Sequence, residues 1–159
     1  MPTPDFKAAR PTLLDLIERA AAAHPEAVAL RRASAGDPGI PYARLLEETG
    51  DLAMALVDLG VRLEERVGLI GENSPRWAMA YLAVHKAGGI VVPMDAQLQE
   101  REIAGIGGAA QLRFVFSGAR AAAAVRAALP RARVLGLFEG GEGAASRSEE
   151  RRVGKECRL

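Results

Sequence analysis

The chain has few of the features that mark specialised protein classes. Its single cysteine, Cys157, excludes an intrachain disulfide and a thiolate metal cluster. Aromatic residues make up only 4%, the formal net charge is +1, and the apolar stretches are shorter than the roughly 20 residues of a membrane span. Because no basic stripe is present to follow a phosphate backbone, we expect no nucleic-acid partner. Because the apolar stretches are short, we also expect no transmembrane segment.

The composition that remains is typical of a globular domain. Hydrophobic residues account for 49% and charged residues for 26% of 159 residues. The first ten residues contain Pro2, Pro4 and Lys7 but no apolar core of a signal peptide. The sequence therefore predicts a cytoplasmic protein, with a disordered N-terminus over residues 1–11.

Short apolar runs alternate with helical patterns along most of the chain. A helix capped by Thr12 and Asp15 comes first, and the clearest amphipathic helix ends at Gly60. The expected elements are helix 12–24, strands 28–30 and 40–42, helix 43–59, strand 67–70, helix 75–86, strand 90–92 stopped by Pro93, helix 98–106, strand 112–116, helix 119–129 and strand 134–138. This alternation predicts an α/β, Rossmann-like, mostly parallel sheet with helices on both faces.

The turn from Gly71 to Ser74 is the first candidate for a ligand site. It follows a strand and opens a helix, which is where α/β proteins often hold anions. However, Glu72 places a carboxylate where a phosphate would sit, and the turn has one glycine. Ser74 as N-cap and Pro75 as first helical residue favour a capped helix start instead.

Two glycine clusters, Gly105–Gly108 and Gly140–Gly143, are the next candidates. Neither has the Lys-Ser/Thr ending of a phosphate-binding P-loop nor the spacing of a dinucleotide-binding motif. We interpret Gly107 and Gly108 as a helix end, and residues 139–146 as a flexible glycine-rich stretch.

The remaining candidates are isolated side chains. His24 and His85 have no partners at the spacing of a metal site or a catalytic triad. Trp77 and Tyr81 lie four residues apart, which is ordinary core spacing on a helix. The residues therefore assign no catalytic, cofactor-binding or metal-binding position.

Two segments in order resemble a known family. They are Glu72-Asn73-Ser74-Pro75-Arg76-Trp77, directly after the strand 67–70, and Ala87-Gly88-Gly89 with its strand up to Pro93. Preceded by the helix over residues 42–61, they resemble the N-terminal part of AMP-forming acyl-CoA synthetases of the adenylate-forming superfamily. The Glu-Asn-x-Pro-x-Trp form is most similar to the long-chain fatty acid branch, although Pro41 stands where that family usually has Ser or Thr.

The resemblance implies a ligase that uses ATP and Mg²⁺ to convert a long-chain fatty acid into an acyl-adenylate and then transfers the acyl group to coenzyme A. Peripheral membrane association of such a parent protein is a further expectation. The family's phosphate loop, its Tyr-Gly-x-Thr-Glu segment and its C-terminal lysine do not occur in these 159 residues. We therefore expect residues 12–138 to be an incomplete part of the large domain, without catalytic activity of their own.

The last thirteen residues break every preceding pattern. Residues 147–159 are a charged run. The amino-acid sequence from Arg147 to Cys157 resembles the translation of a common sequencing adapter. We expect this tail to be non-native.

An alternative for the whole chain stays open from the sequence: a non-catalytic α/β module that binds a small molecule or a protein partner.

Overall fold

The computed structural model describes residues 11–34 and 36–137. In that part of the chain the helices are α1 (Leu13–Ala23), α2 (Tyr42–Asp58), α3 (Pro75–Lys86), α4 (Glu100–Ala110) and α5 (Ala122–Ala128). The strands are β1 (Val28–Leu30), β2 (Ile40–Pro41), β3 (Arg66–Ile70), β4 (Ile90–Met94), β5 (Phe114–Ser117) and β6 (Arg133–Gly136). Predictions for the first ten residues, the glycine-rich stretch 139–146 and the tail 147–159 lie outside the described residues.

Strands β3 to β6 form a parallel sheet in the order β4-β3-β5-β6. The first two strands form a separate antiparallel pair. The predicted α/β fold with a mostly parallel sheet is confirmed. Because β4 is added on one side of β3 and β5 and β6 on the other, right-handed connections place the crossover helix α3 on one face of the sheet and α4 and α5 on the opposite face.

The two faces of the sheet carry separate hydrophobic cores. Leu69 of β3 and Phe116 of β5 belong to a core with α2 and α3, whereas their neighbours Ile70 and Val115 belong to a core with α4 and α5. Adjacent strand residues point to opposite faces, so an uninterrupted apolar run results when both faces are covered. Burial of each such side chain contributes about 1.5–3 kcal/mol relative to exposure.

Helix α3 is buried on two sides, which explains its almost wholly apolar sequence. Ala80 and Val84 pack on the sheet, while Met79 and Leu82 pack on α1, Leu45 of α2 and the β1-β2 hairpin. The α2-α3 face is therefore covered by two layers of structure. None of the helices in the described ranges is long and apolar enough to cross a membrane.

Local capping signals place the start of α1 and the end of α2 as the sequence predicts. The Thr12 hydroxyl accepts a hydrogen bond from the Asp15 backbone N–H at 3.2 Å, and the Thr12 N–H donates to Asp15 Oδ2 at 2.7 Å. The glycine after α2, Gly60, has φ of 92°. At the start of α2, Pro41 is the N-cap and provides no side-chain hydrogen bond. This helix therefore begins without the reciprocal cap that α1 has.

The expected end of β4 at Pro93 is wrong, because the strand continues to Met94. The Ile90 N–H donates to Glu65 O at 2.8 Å, so even-numbered residues of β4 direct their backbone groups toward β3. Pro93 is odd-numbered, and its missing N–H falls on the outer side of an edge strand. Proline is tolerated in strands at such positions.

Candidate functional site at the carboxyl ends of the strands

The carboxyl ends of β3 and β5 form the switch point of the sheet. These strands are neighbours, yet the crossover that leaves β3 and the one that enters β5 lie on opposite faces. In open α/β sheets, ligands bind in the crevice outside the strands at such a point. The fold therefore directs the search for a site to Gly71 and Gly118, the residues that follow the two strands.

The crevice between these two glycines is closed by their own backbones. The Gly118 N–H donates to Ile70 O at 2.8 Å. A Cβ at Gly71 would lie 3.1 Å from Gly118 N and 3.3 Å from Gly118 Cα, closer than most side-chain contacts. Glycine at both positions is explained by this close approach of the two turns. The glycines leave no space between the strands for a ligand.

A carboxylate and a guanidinium stand at the mouth of the crevice. Arg120 Nε lies 3.4 Å from Glu72 Oε1, with the two side chains 88% and 53% exposed. Such exposed pairs contribute about 0–1 kcal/mol. The Ser74 hydroxyl accepts a hydrogen bond from the Trp77 N–H at 3.2 Å, and Pro75 follows it as the first helical residue. The turn therefore forms the capped helix start that the sequence favours.

The isolated candidates from the sequence do not meet in one site. His24 is the C-cap of α1, whereas His85 lies in the last turn of α3 with its ring edge on Tyr81, the ring centroids 4.8 Å apart. Trp77 stacks on Tyr81 at 5.6 Å, and both pack against the core. Across residues 11–34 and 36–137, no group of three or more His, Cys, Asp or Glu side chains could hold a metal ion.

The interpretation of Gly107 and Gly108 as a helix end is wrong. Helix α4 continues to Ala110 and ends at Gln111, which has the left-handed conformation with φ of 55°. Gly107 lies inside the helix, and a side chain there would not fit, because a Cβ would be 2.5 Å from a methyl carbon of Leu129. The glycine thus allows the segment after α5 to pack against α4. The second cluster, residues 140–143, lies outside the described residues.

Sequence reasoning missed a groove on the α2-α3 face, which we call the arginine groove. Its outer compartment, about 220 Å³, is lined by charged residues and by the turn before β2. Its inner compartment, about 110 Å³, has an apolar floor at the carboxyl ends of β5 and β6. Glu48 and Arg76 line both compartments. The outer compartment is also lined by Arg32, Asp37 and Arg44, and the inner one by Leu52, Met79, Phe116 and Leu137.

The charges of the arginine groove are arranged by local structure. Asp37 accepts hydrogen bonds from the backbone N–H groups of Gly39 at 2.9 Å and Arg32 at 2.7 Å, and these two bonds hold the pKa of its carboxyl below the usual value. Arg44 pairs with Glu48 one turn later on α2. The signal available in the sequence was Arg76, a cation in the first turn of α3, where the helix dipole disfavours positive charge.

Comparison with known proteins identifies relatives of most of the described structure. A family model described as "AMP-binding enzyme" matches residues 17–154. The range overlaps residues 147–154 of the tail, so the match does not place a boundary at Ser146. It includes every strand of the parallel sheet.

The matched relatives have different functional descriptions, one as a synthase subunit and one as a CoA ligase. Over 85 residues the chain is 42% identical to one of the plipastatin synthase proteins of Bacillus subtilis (strain 168), covering 54% of this chain and 3% of that protein. Over 91 residues it is 35% identical to a medium/long-chain-fatty-acid–CoA/3-oxocholest-4-en-26-oate–CoA ligase of Mycobacterium tuberculosis (strain CDC 1551 / Oshkosh), covering 57% of this chain and 16% of that protein.

Solved structures share the fold. A Rhodopseudomonas palustris CGA009 protein provisionally described as a long-chain-fatty-acid CoA ligase matches with a TM-score of 0.72 and 25% identity, over 83% of this chain and 34% of that chain. The NpsA N-terminal subdomain of Klebsiella oxytoca matches with a TM-score of 0.67 and 26% identity, over 79% of this chain and 30% of that chain. The chain thus spans about a third of these two solved chains and a sixth or less of the two curated relatives.

Proposed function

The chain belongs to the AMP-binding enzyme family, and from that premise we propose that it is the N-terminal part of a ligase that activates a long-chain fatty acid with ATP and transfers the acyl group to coenzyme A. In the first step the carboxylate displaces pyrophosphate from ATP and becomes an acyl-adenylate. In the second step the thiol of coenzyme A displaces AMP. The family match over residues 17–154 is the observation that carries the proposal.

Fatty acid as the substrate class is supported by two further observations. The Mycobacterium tuberculosis relative is described as a fatty-acid–CoA ligase, and the Rhodopseudomonas palustris structure bears a similar description. The segment from Glu72 to Trp77 has the form most similar to that branch. The match to plipastatin synthase points to the competing class, a peptide-synthetase adenylation domain.

We further propose that residues 1–159 do not adenylate a carboxylate by themselves. Stabilisation of a reacting phosphate needs preorganised cations and hydrogen-bond donors. At the switch point, the backbones of Gly71 and Gly118 close the crevice and the Glu72 carboxylate stands at its mouth. Mg²⁺ is usually held by one or two carboxylates together with substrate phosphates, and the described residues contain no group of three or more His, Cys, Asp or Glu side chains that could hold a metal ion on their own.

Pyrophosphate release tests both parts of the proposal. The purified 159-residue chain should give no carboxylate-dependent release above a blank without enzyme. The longer protein encoded by the uninterrupted gene should release pyrophosphate with ATP and palmitate and should form palmitoyl-CoA when coenzyme A is added. Amino-acid-dependent release without acyl-CoA formation would reassign the longer protein to the peptide-synthetase class. Release by the 159-residue chain would contradict its proposed inactivity.

The tail and the cellular location remain proposals with direct tests. We propose that residues 147–159 are translated from adapter DNA joined after codon 146. Adapter bases in the nucleotide sequence after that codon would support this, whereas unrelated bases would exclude it. For the longer protein we propose a cytoplasmic location with peripheral membrane contact. Fractionation of cells expressing it, with and without a high-salt wash of the membranes, tests the location.

A further inference from the structure

We propose that the arginine groove is a binding site for a small carboxylate with a short apolar body. The groove lies next to the carboxyl ends of β5 and β6, the side of a parallel sheet on which α/β proteins bind ligands. It is separate from the closed crevice at Gly71 and Gly118. The inference concerns binding by this chain and does not depend on the ligase reaction proposed above.

The outer compartment carries one more cation than anion. Its guanidinium groups belong to Arg32, Arg44 and Arg76, and its carboxylates to Asp37 and Glu48. Both carboxylates are already engaged, Asp37 by two backbone N–H groups and Glu48 by Arg44. A monocarboxylate would pair with the guanidinium of Arg76, whereas a phosphate dianion would bring a second negative charge next to Glu48.

Arg76 is the group that an incoming carboxylate would reach. It makes no ion pair with any described residue and is exposed. It is the second residue of α3, a helix with no acidic residue in its first turn. A cation at this end is repelled by the helix dipole, so a carboxylate bound there is attracted by both the guanidinium and the helix.

The inner compartment sets the size of the apolar body. Its apolar lining residues are Leu52, Met79, Phe116 and Leu137. Its volume of about 110 Å³ is smaller than the roughly 150 Å³ of an apolar cavity that holds benzene. A chain of roughly four to six carbons fits such a space, whereas a long acyl chain does not.

Titration of the 159-residue chain with hexanoate tests the proposal. Isothermal titration calorimetry measures the binding directly, because Trp77, the only tryptophan, does not line the groove. At constant ionic strength, hexanoate should give a saturable heat of binding. The neutral hexanamide should give none, and inorganic phosphate should bind at least about tenfold more weakly. No saturation with hexanoate, or equal binding of hexanamide or phosphate, would overturn the proposal.

Two arginine variants at equivalent helix positions provide the matched comparison. Arg76→Gln should weaken hexanoate binding about tenfold, because it removes the unpaired guanidinium. Arg101 is exposed, is the second residue of α4 and lies on the opposite face of the sheet. Arg101→Gln should therefore change hexanoate binding less than twofold. Equal weakening by both variants would show attraction by net charge alone and would refute the site.

A second copy of the chain is the competing occupant of the groove. If the groove were a dimer contact, the chain would dimerise with increasing concentration, and Arg76→Gln but not Arg101→Gln would abolish the dimer. Light scattering across a concentration series distinguishes this outcome, which would replace the carboxylate as the occupant. Failure of the hexanoate titration leaves pyrophosphate release by the longer protein unaffected, so the two proposals fail independently.

Discussion

The two faces of the parallel sheet are covered in different ways. On one face, α2 and α3 pack on the sheet through large side chains such as Leu56 of α2, Leu69 of β3 and Phe116 of β5, and a further layer made of α1 and the hairpin covers α3. On the other face, α4 and α5 form a single layer rich in alanine and glycine. There the contact of Gly107 with Leu129 depends on the absence of a side chain.

The two faces should therefore tolerate different substitutions. The α2-α3 face gains its stability from buried apolar area, so loss of volume should cost most there. On the α4-α5 face large side chains such as Ile103 and Val125 are also buried, but Gly107 brings α4 close to Leu129, so added volume at that contact should cost stability. Substitutions on each face test these two expectations, and the largest effect is expected in α2.

Leu56→Ala should have the largest effect. Leu56 is fully buried between α2 and the sheet, and removal of its side chain should lower the free energy of unfolding by about 3 kcal/mol. Met54→Ala on the same helix is the matched control, since Met54 is 63% exposed. Its cost should stay below about 0.5 kcal/mol. Urea unfolding measures both, and equal losses would contradict the account of this face.

Glycine substitutions in α4 should have opposite signs. Gly107→Ala gains helix propensity, but it places a methyl group against Leu129 and should lower stability by about 1 kcal/mol net. Gly105→Ala adds its methyl group to open space and should raise stability by about 0.5–1 kcal/mol. Thermal unfolding followed by circular dichroism measures both. The same sign for both variants would show that packing against Leu129 does not limit this face.

Thr49→Val should stabilise the chain by about 1 kcal/mol. The Thr49 side chain is buried in α2, and its hydroxyl has no hydrogen-bond partner. Valine has nearly the same shape without the polar atom. Thr49→Ser is the control, because it keeps the hydroxyl and removes the methyl group, and it should destabilise. Urea unfolding of the two variants tests this, and a destabilised Thr49→Val would show that the hydroxyl is satisfied in solution.

The smallest effect is expected at Asp15 in α1, where ionisation of the carboxyl should make the stability of the folded chain depend on pH. Hydrogen bonds donated by the Thr12 hydroxyl and backbone N–H lower the pKa of Asp15 in the folded chain. The stabilisation of the folded chain by the ionised Asp15 carboxylate is therefore complete above the unfolded pKa of about 4. It is lost as the pH falls through the lower pKa of the folded chain.

Asp15→Asn should make the melting temperature less dependent on pH below about 5. Thr12→Ala, which removes the partner hydroxyl, should reduce the same dependence in part. Melting curves between pH 3 and pH 7 measure these slopes, and an unchanged slope in Asp15→Asn would contradict the assignment.

The sequence predicted those parts of the fold that depend on neighbouring residues. The caps at Thr12 and Ser74 and the end of α2 at Gly60 are formed by residues within one helical turn, so their signals are local. The parallel sheet followed from apolar runs that alternate with helices. The absence of an assigned catalytic, cofactor or metal residue remains a prediction.

Features set by distant residues could not be predicted. Gly107 resembles a helix end until Leu129, 22 positions later, is placed against it. Pro93 resembles a strand end until β4 is known to be an edge strand. The arginine groove combines residues of the hairpin turn, α2, α3 and the ends of two strands, and no local pattern in the sequence brings them together.

The outward position of Pro93 determines at which edge of the sheet a further strand would pair. A strand added outside β4 would lack a hydrogen-bond donor at Pro93, the fourth of the five residues of β4, whereas β6 (Arg133–Gly136) offers a proline-free edge. Extension of the sheet by further polypeptide, from the same chain or another, is therefore favoured at β6. A single imino acid thus makes the two borders of an otherwise regular sheet unequal as templates for assembly.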